Sequence, residues 1–289
     1  MTGHLLVTGG SGYLGRRLIC VALPHWQVTA TYFKHPGACP GVDWQFLDVR
    51  DAAAVERVFD ACRPDVVIHT AAVNPHAKIP YQDVNVTGTH HIAQVAAARK
   101  VRLIHLSTDV VFDGRQGAYR EEDEPHPLTD YARSKTQAEA QVHAAGGPAV
   151  IVRTSLIYDP LQRRDRHTGW VIEDLQAGRA VRLFTDEVRC PIWVESLAQA
   201  LTELAGLDDT GVLHVAGQQA LSRYDFGVRL LRHHDMDIAS IMPALSRESG
   251  LTRPLDCTLD CSRARGLLKT PLPGVDDVLG DNADALSKM

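Results

Sequence analysis

The run Thr8-Gly9-Gly10-Ser11-Gly12-Tyr13-Leu14-Gly15 constrains this chain more than any other. It follows His4-Leu-Leu-Val-Thr8, a short apolar stretch that reads as a buried strand. It opens a helical pattern from residue 13 to about 23, where Pro24 ends it. Gly9, Gly12 and Gly15 have G-x-x-G-x-x-G spacing, which serves a tight turn, then close backbone approach to a ligand, then close packing of helix on strand. A pyrophosphate fits the positive end of a helix formed this way. Glycine triplets alone describe many bare loops. Set between a strand and a helix at the head of an alternating chain, this one predicts a dinucleotide site walled by Gly9, Gly12, Tyr13, Leu14 and Gly15.

The alternation continues. Apolar runs rich in β-branched residues at 27–32, 43–47, 66–69, 103–107 and 149–154 read as strands. Between them lie helical patterns at 51–61, with Asp51 as N-cap, at 81–100 and at 131–145. Strands of this kind separated by helices indicate a parallel sheet covered on both faces. The expected fold is α/β, a Rossmann-type doubly wound parallel sheet with a smaller C-terminal α/β substrate lobe. Residues 1–155 form the dinucleotide-binding domain and 156–289 the lobe, with some later segments free to return to the first domain. Within the lobe, helices are expected at 170–176, 194–204 and 224–232, a strand at 213–216, and a frayed tail from 282.

A chain of 289 residues with 45% hydrophobic and 22% charged content is an ordinary globular protein with room for a full core. Its net charge of -5 leaves no basic excess for neutralising nucleic-acid phosphates. No apolar run approaches a membrane span and no signal peptide opens the chain, which points to a cytoplasmic protein. The six cysteines are scattered without a C-x-x-C pair, so reduced thiols are expected. The fourteen histidines, including His90-His91 and His233-His234, lack a matching ligand set, and no metal is expected.

The second strand ends Thr31-Tyr32-Phe33-Lys34-His35, without the carboxylate that would grip the ribose 2′-hydroxyl of NAD. Lys34 and Arg16 favour NADP(H), with NAD(H) left open. Asp48-Val49 stands where the adenine edge would lie, and Ala71-Ala72-Val73 lets the backbone approach the cofactor. Further on, Tyr131 and Lys135 fall one helical turn apart. A phenol titrating near 10 is a poor acid at neutral pH, and a neighbouring ammonium favours its phenolate.

Taken together, these segments resemble the extended short-chain dehydrogenase/reductase superfamily. Its marks here are residues 8–15, Asp48, His69-Thr-Ala-Ala72, Asn85-Val-Thr-Gly88, Ser107-Thr-Asp109 and Tyr131-Ala-Arg-Ser-Lys135. Within it, the chain is most similar to dTDP-4-dehydrorhamnose reductases and their relatives, through Leu106-Ser-Thr-Asp-Val-Val-Phe-Asp-Gly114, Tyr119-Arg-Glu-Glu-Asp123, Arg153-Thr-Ser155, Tyr158 and Arg253-Pro254. The resemblance implies that Thr108 donates a hydrogen bond to the substrate oxygen and that Tyr131 is the proton donor. It implies that Lys135 tunes the tyrosine and holds the nicotinamide ribose.

Sugar-nucleotide dehydratases of the superfamily carry Asp-Glu after the threonine, whereas this chain has Asp109-Val110; simple hydride transfer is the better fit. Two positions depart from the reductases, Leu156 where a tryptophan is usual and Asp159 where a glycine is usual. They leave the sugar open. Arg163, Arg164, Arg166 and Arg189 are candidates for a phosphate clamp on a nucleotide-diphosphate sugar, against the plain alternative of surface arginines. Trp170 and Trp193 suit either base stacking or core packing, and Glu121-Glu122-Asp123 reads as a solvated acidic turn. The leading expectation is an NADP(H)-preferring keto-sugar-nucleotide reductase, with a homodimer open. A nucleotide-sugar epimerase, or a non-catalytic subunit similar to the methionine adenosyltransferase beta subunit, are the alternatives.

Overall fold

Residues 3–75, 79–162 and 169–280 are described in a computed structural model of the protein. The chain begins with β1 (His4–Thr8), α1 (Tyr13–Ala22), β2 (Gln27–Tyr32), β3 (Asp43–Phe46), α2 (Ala52–Cys62) and β4 (Val66–His69). A π-helical stretch, Gln82–Gly88, leads into α3 (Thr89–Ala98), followed by β5 (Arg102–Thr108), α4 (Asp130–Ala145), β6 (Ala149–Thr154) and β7 (Ile157–Tyr158). Beyond lie α5 (Gly169–Gln176), β8 (Val181–Phe184), β9 (Val188–Arg189), β10 (Ile192–Trp193), α6 (Val194–Ala205) and β11 (Gly211–His214). The described chain closes with β12 (Leu221–Ser222), α7 (Arg223–His233), β13 (Ile241–Ala244), α8 (Ser262–Leu267) and α9 (Val275–Leu279).

Seven parallel strands form the main sheet in the order β11-β6-β5-β4-β1-β2-β3. Period-two alternation sorts its side chains into two cores. Leu5, Val7, Ile68, Ile104 and Val152 face α1 and α6, where Leu18, Ile19, Leu197 and Leu201 are buried. Leu6, Val67, Leu103 and Ile151 face the opposite helices, meeting Val55, Phe59, Ile92 and Val142. Strand order reverses between β1 and β4, so a crevice opens beyond their carboxyl ends. The doubly wound parallel sheet expected from the sequence is therefore present.

The later chain adds detail to the expectation. The strand expected at 213–216 runs over Gly211–His214 and pairs in parallel with β6 as the edge of the main sheet. The α6 helix likewise packs on α1, and Arg17 of α1 is ion-paired with Glu195 of α6. Residues of α5, β8, α7 and β13 form a small core of their own, in which Val171, Ile172, Leu183, Val228 and Leu231 are buried, whereas Ala264 of α8 and Val275 and Val278 of α9 join the main core. The strand pairs β7–β10, β9–β12 and β8–β13 were not anticipated, because runs of two to four residues carry almost no periodic signal. The helix expected over 81–100 is divided, with a π-helical entry before α3.

The seat of α4 is set at both ends and in the middle. Thr129 caps it, its hydroxyl accepting from the Ala132 amide at 3.2 Å, and Gly146 ends it in the left-handed conformation at φ 71°. Inside, Glu139 is buried and accepts from Arg153 of β6 at 2.8 Å and from the Ser107 hydroxyl of β5. The Arg153 guanidinium also lies over the Phe112 ring, 5.1 Å from its centroid. Breaking a pair of this depth leaves one uncompensated charge. Glu139→Leu is expected to lower stability by about 3–5 kcal/mol in urea unfolding, and adding Arg153→Met to recover part of that loss. Additive losses would show that the two groups do not act as a pair.

Candidate functional site

The crevice floor is made by backbones that approach too closely for side chains. Gly9 has φ +70°, and a Cβ there would stand 2.8 Å from both Cα and N of Ala71, just beyond β4. Two independent reasons thus require glycine at this one position. The Gly10 amide donates to the Thr31 carbonyl at 2.8 Å and the Gly12 amide to Gly9 at 2.9 Å, which closes the turn. Gly15 packs directly on the Gly9 carbonyl. The α1 helix starts at Gly12 with no side-chain cap and no acid in its first turn, so its amides are available to an anion. This cradle fits the dinucleotide expected from the sequence.

Around it, Leu14 is buried, Tyr13 half-buried, and Ala71 and Ala72 line the β4 side half-exposed. Arg16 is exposed, its Nε donating to the Ser11 carbonyl at 2.9 Å, which holds the guanidinium against the glycine turn. Lys34 is exposed beyond β2. Asp48 is bound by Arg50, Nη2 to Oδ2 at 2.6 Å and Nε to Oδ1 at 2.9 Å; this pairing holds the carboxyl below its ordinary range. The Arg50 guanidinium also lies 5.6 Å from the centroid of the exposed Phe33 ring, which stacks on Phe46 at 6.2 Å. Arg50, Phe33 and Phe46 were not singled out from the sequence, since an arginine near a strand end is usually a solvated one. Val49 is buried against Gly88, where a Cβ would lie 2.5 Å from Val49 Cγ2.

Thr108 ends β5, with its hydroxyl accepting from the Val110 amide at 3.4 Å and donating to Asp109 Oδ1 at 3.2 Å. Tyr131 lies in the first turn of α4, half-buried, with its ring edge-on to Tyr81 at 5.9 Å. Lys135 follows one turn later and is 4% exposed, its Nζ donating to the Leu106 carbonyl at 2.7 Å. Burial pushes its pKa down to about 8, against the opposing pull of Glu139. Tyr131 and Lys135 therefore follow one another down α4, the lysine bonded to β5 two residues before the threonine that ends it.

Asn85 was quoted only as part of a segment, and the structure gives it a specific place. It is buried in the π-helical stretch, where its amide accepts from the Val73 amide at 2.8 Å and donates to the Val73 carbonyl at 3.1 Å. It also donates to the Ser134 hydroxyl at 3.0 Å, which in turn donates to the Tyr131 carbonyl at 2.7 Å. One side chain thereby ties the loop after β4 to the turn that bears Tyr131. The π-helical register is what aims it inward, and π-bulges concentrate at such places.

Arg189 differs from expectation. It is buried, with Nη1 donating to the Val188 and Leu255 carbonyls and Nη2 to Pro254, so its guanidinium is committed to backbone oxygens rather than open to a phosphate. Its Nε faces Asp109 Oδ2 at 3.7 Å, and that carboxylate also accepts from Ser155 at 2.6 Å. Arg163, Arg164 and Arg166 lie outside the described residues. Nearby, Arg253 pairs with the fully buried Glu187, and burial, with Arg189 adding to it, pushes Arg223 down to about 10. Trp193 is buried in the core, whereas Trp170 is 45% exposed. Glu121 is not simply solvated, since it accepts from the His214 amide of β11 at 3.1 Å. The described residues contain no cluster of three or more metal-ligating side chains. No helix among them is long and apolar enough to cross a membrane.

A glycine turn at the switch point of this sheet, with threonine ending β5 and Tyr-x-x-x-Lys on the next helix, defines a protein of the extended short-chain dehydrogenase/reductase class. Residues 3–286 match the family model of the RmlD substrate binding domain, and the chain belongs to that family. It is 32% identical to the probable low-salt glycan biosynthesis reductase Agl14 of Haloferax volcanii, over 96% of each chain. It is 34% identical to the dTDP-4-dehydrorhamnose reductase of Mycobacterium tuberculosis, over 85% of this chain and 80% of that one. It is also 27% identical to methionine adenosyltransferase 2 subunit beta of Bos taurus, over 91% and 82%. Among solved structures, a hypothetical dTDP-4-dehydrorhamnose reductase from Sulfolobus tokodaii superposes with a TM-score of 0.82 at 30% identity, covering 94% and 97%. A dTDP-4-dehydrorhamnose reductase of Bacillus anthracis, solved in complex with NADP, shares the fold at TM-score 0.84 and 22% identity, covering 96% and 98%.

Lys135 yields a pH test. Below about pH 8 its ammonium is charged whether the chain is folded or not, and burying it opposes folding. Between about 8 and its ordinary 10.5 only the unfolded chain keeps the proton, so the opposition fades as pH rises. Lys135→Met is therefore expected to unfold at a higher temperature than wild type at pH 7, with the gap narrowing by pH 10. A gap that does not change with pH would contradict the depressed pKa.

Proposed function

We propose that the protein is an NADP(H)-preferring reductase of a keto group on a nucleotide-linked sugar, with Tyr131 as the proton donor. The observation that carries this reading is the buried Lys135, fixed on the Leu106 carbonyl one turn below Tyr131 and beside the Thr108 strand end. A bound reduced nicotinamide would supply hydride to the carbonyl carbon. Thr108 and Tyr131 would hold the carbonyl oxygen between two hydroxyl donors, and Tyr131 would release its proton as charge develops there. Lys135, charged through the neutral range, would stabilise the phenolate left behind. Asn85 would act on the position of Tyr131 through Ser134 rather than on the substrate.

The glycine cradle and the open start of α1 would hold the pyrophosphate, and Lys34 and Arg16 support preference for the 2′-phosphate of NADP over NAD. Reductases among the relatives support the same class of reaction. Asp109 is bound by Ser155 and faces Arg189, and Val110 follows it, so the acid-base pair of the dehydratases has no counterpart here. A separate observation favours a second reading: similarity to a methionine adenosyltransferase subunit is consistent with a partner protein that binds cofactor without turnover.

The test is NADPH oxidation against a panel of 4-keto dTDP-, UDP-, GDP- and CDP-sugars, with Tyr131→Phe alongside. Wild type is expected to reduce at least one, and the mutant to lose about 10²–10⁴-fold in kcat, the usual worth of a positioned acid. Equal rates would remove Tyr131 from the chemistry. No oxidation with any keto-sugar, together with co-purification of a partner enzyme, would favour the subunit. A clear preference for NADH would remove the role given to Lys34 and Arg16.

A further inference from the structure

Two thiols far apart in sequence meet at the surface. Cys20 lies exposed on α1, and Cys39 lies half-exposed in the connection between β2 and β3; their sulfurs are 4.0 Å apart. The other four cysteines, Cys62, Cys190, Cys257 and Cys261, are all buried. Burial pushes Cys62 and Cys190 up to about 11 and Cys261 to about 12, raises Cys257 as well, and closes all four to an approaching disulfide. Burial and the neighbouring Cys20 raise the Cys39 thiol. A soft metal would need further ligands, and the described residues group no third histidine, cysteine or carboxylate with this pair. What remains for two adjoining, accessible thiols is exchange with a disulfide.

We propose that Cys20 and Cys39 are a reversible disulfide site, oxidised by small-molecule disulfides of the glutathione type and cross-linking α1 to the β2–β3 connection. The Cys20 thiolate attacks one sulfur of the small disulfide, forming a mixed disulfide and expelling one small thiolate. The Cys39 thiolate then attacks the Cys20 sulfur, forming the protein S–S bond and expelling the second. The protein gives up two protons and two electrons, and the small disulfide takes them up to become two thiols. Bond formation brings the sulfurs from 4.0 Å to about 2.05 Å.

The connection so fixed is built against the cofactor cradle. Gly37 packs on the Trp44 indole, where a Cβ would stand 2.5 Å from Cη2. The same indole lies under the glycine turn, where a Cβ on Gly10 would meet its Cζ3 at 3.2 Å. Cys39 itself packs against the core beside α1. Oxidation would therefore stiffen the layer that supports the glycine turn, whatever substrate the protein takes.

The experiment equilibrates the full chain with oxidised and reduced glutathione at several ratios, followed by alkylation, peptide mass analysis and thermal unfolding. Under oxidising ratios, wild type is expected to lose two hydrogens, retain four alkylatable thiols and yield a Cys20–Cys39 linked peptide. Its unfolding midpoint should rise by roughly 5 °C and fall back with reductant. Cys20→Ser and Cys39→Ser, both at accessible positions, should fold as wild type does and show neither change. Glutathione mixed disulfides without the internal bond, six intact thiols, or linkage through another cysteine would overturn the proposal. An internal bond that leaves the midpoint unmoved would overturn the stiffening it is said to produce.

Discussion

The candidate site depends on how α4 is seated against β5 and β6. Two charged side chains one turn apart, Lys135 and Glu139, enter the interior from this helix and are both buried. Each finds its partner on the sheet: Lys135 on the Leu106 carbonyl of β5, Glu139 on Arg153 of β6 and Ser107 of β5. Charges cannot be buried without such partners, so the helix has very few positions in which both are satisfied. That restriction fixes where its first turn, and hence Tyr131, meets the crevice. The buried charges in the middle of α4 thus serve the placement of Tyr131 in its first turn.

The same economy of positions appears on the far side of the crevice. Gly9 on Ala71 and Gly88 on Val49 are contacts of backbone with neighbour in which a methyl group would collide. Asn85 joins that side to α4 through Ser134. Between them, a few groups without reactive chemistry hold the reactive ones in register, which is the arrangement that preorganised sites require.

Much of this was legible in the sequence, and the reasons are physical. The glycine turn, the alternating apolar strands and the capped helices are local signals, and β1, β2, β4 and β6 fall within their expected bounds. Tyr131 and Lys135 could be singled out because one helical turn separates them, and Thr108 through the resemblance of the segment that carries it. What could not be read depends on contacts distant in sequence. The commitment of Arg189 to carbonyls at 254 and 255 has no local mark, so a buried structural arginine looked the same as a phosphate ligand. The π-helical register at Gln82–Gly88 hides inside an alanine-rich helical pattern, and Arg50 becomes notable only once its guanidinium is over Phe33. Strands β7, β9 and β10, of two residues each, were too short to announce themselves.

The edge strand β11 changes how the molecule can be divided. It comes between the segments that build the smaller core, α5 and β8 before it and α7 and β13 after it, yet it completes the sheet beside β6, while α6 covers the face opposite α4. A chain cut after β6 would leave that strand's amides and carbonyls open along one side and its apolar face uncovered. The segment between β7 and α6, and the stretch after β11, are in effect insertions carried by a single continuous sheet. Loops carried on such a scaffold can be exchanged between fixed anchor points, but they cannot be removed as a unit.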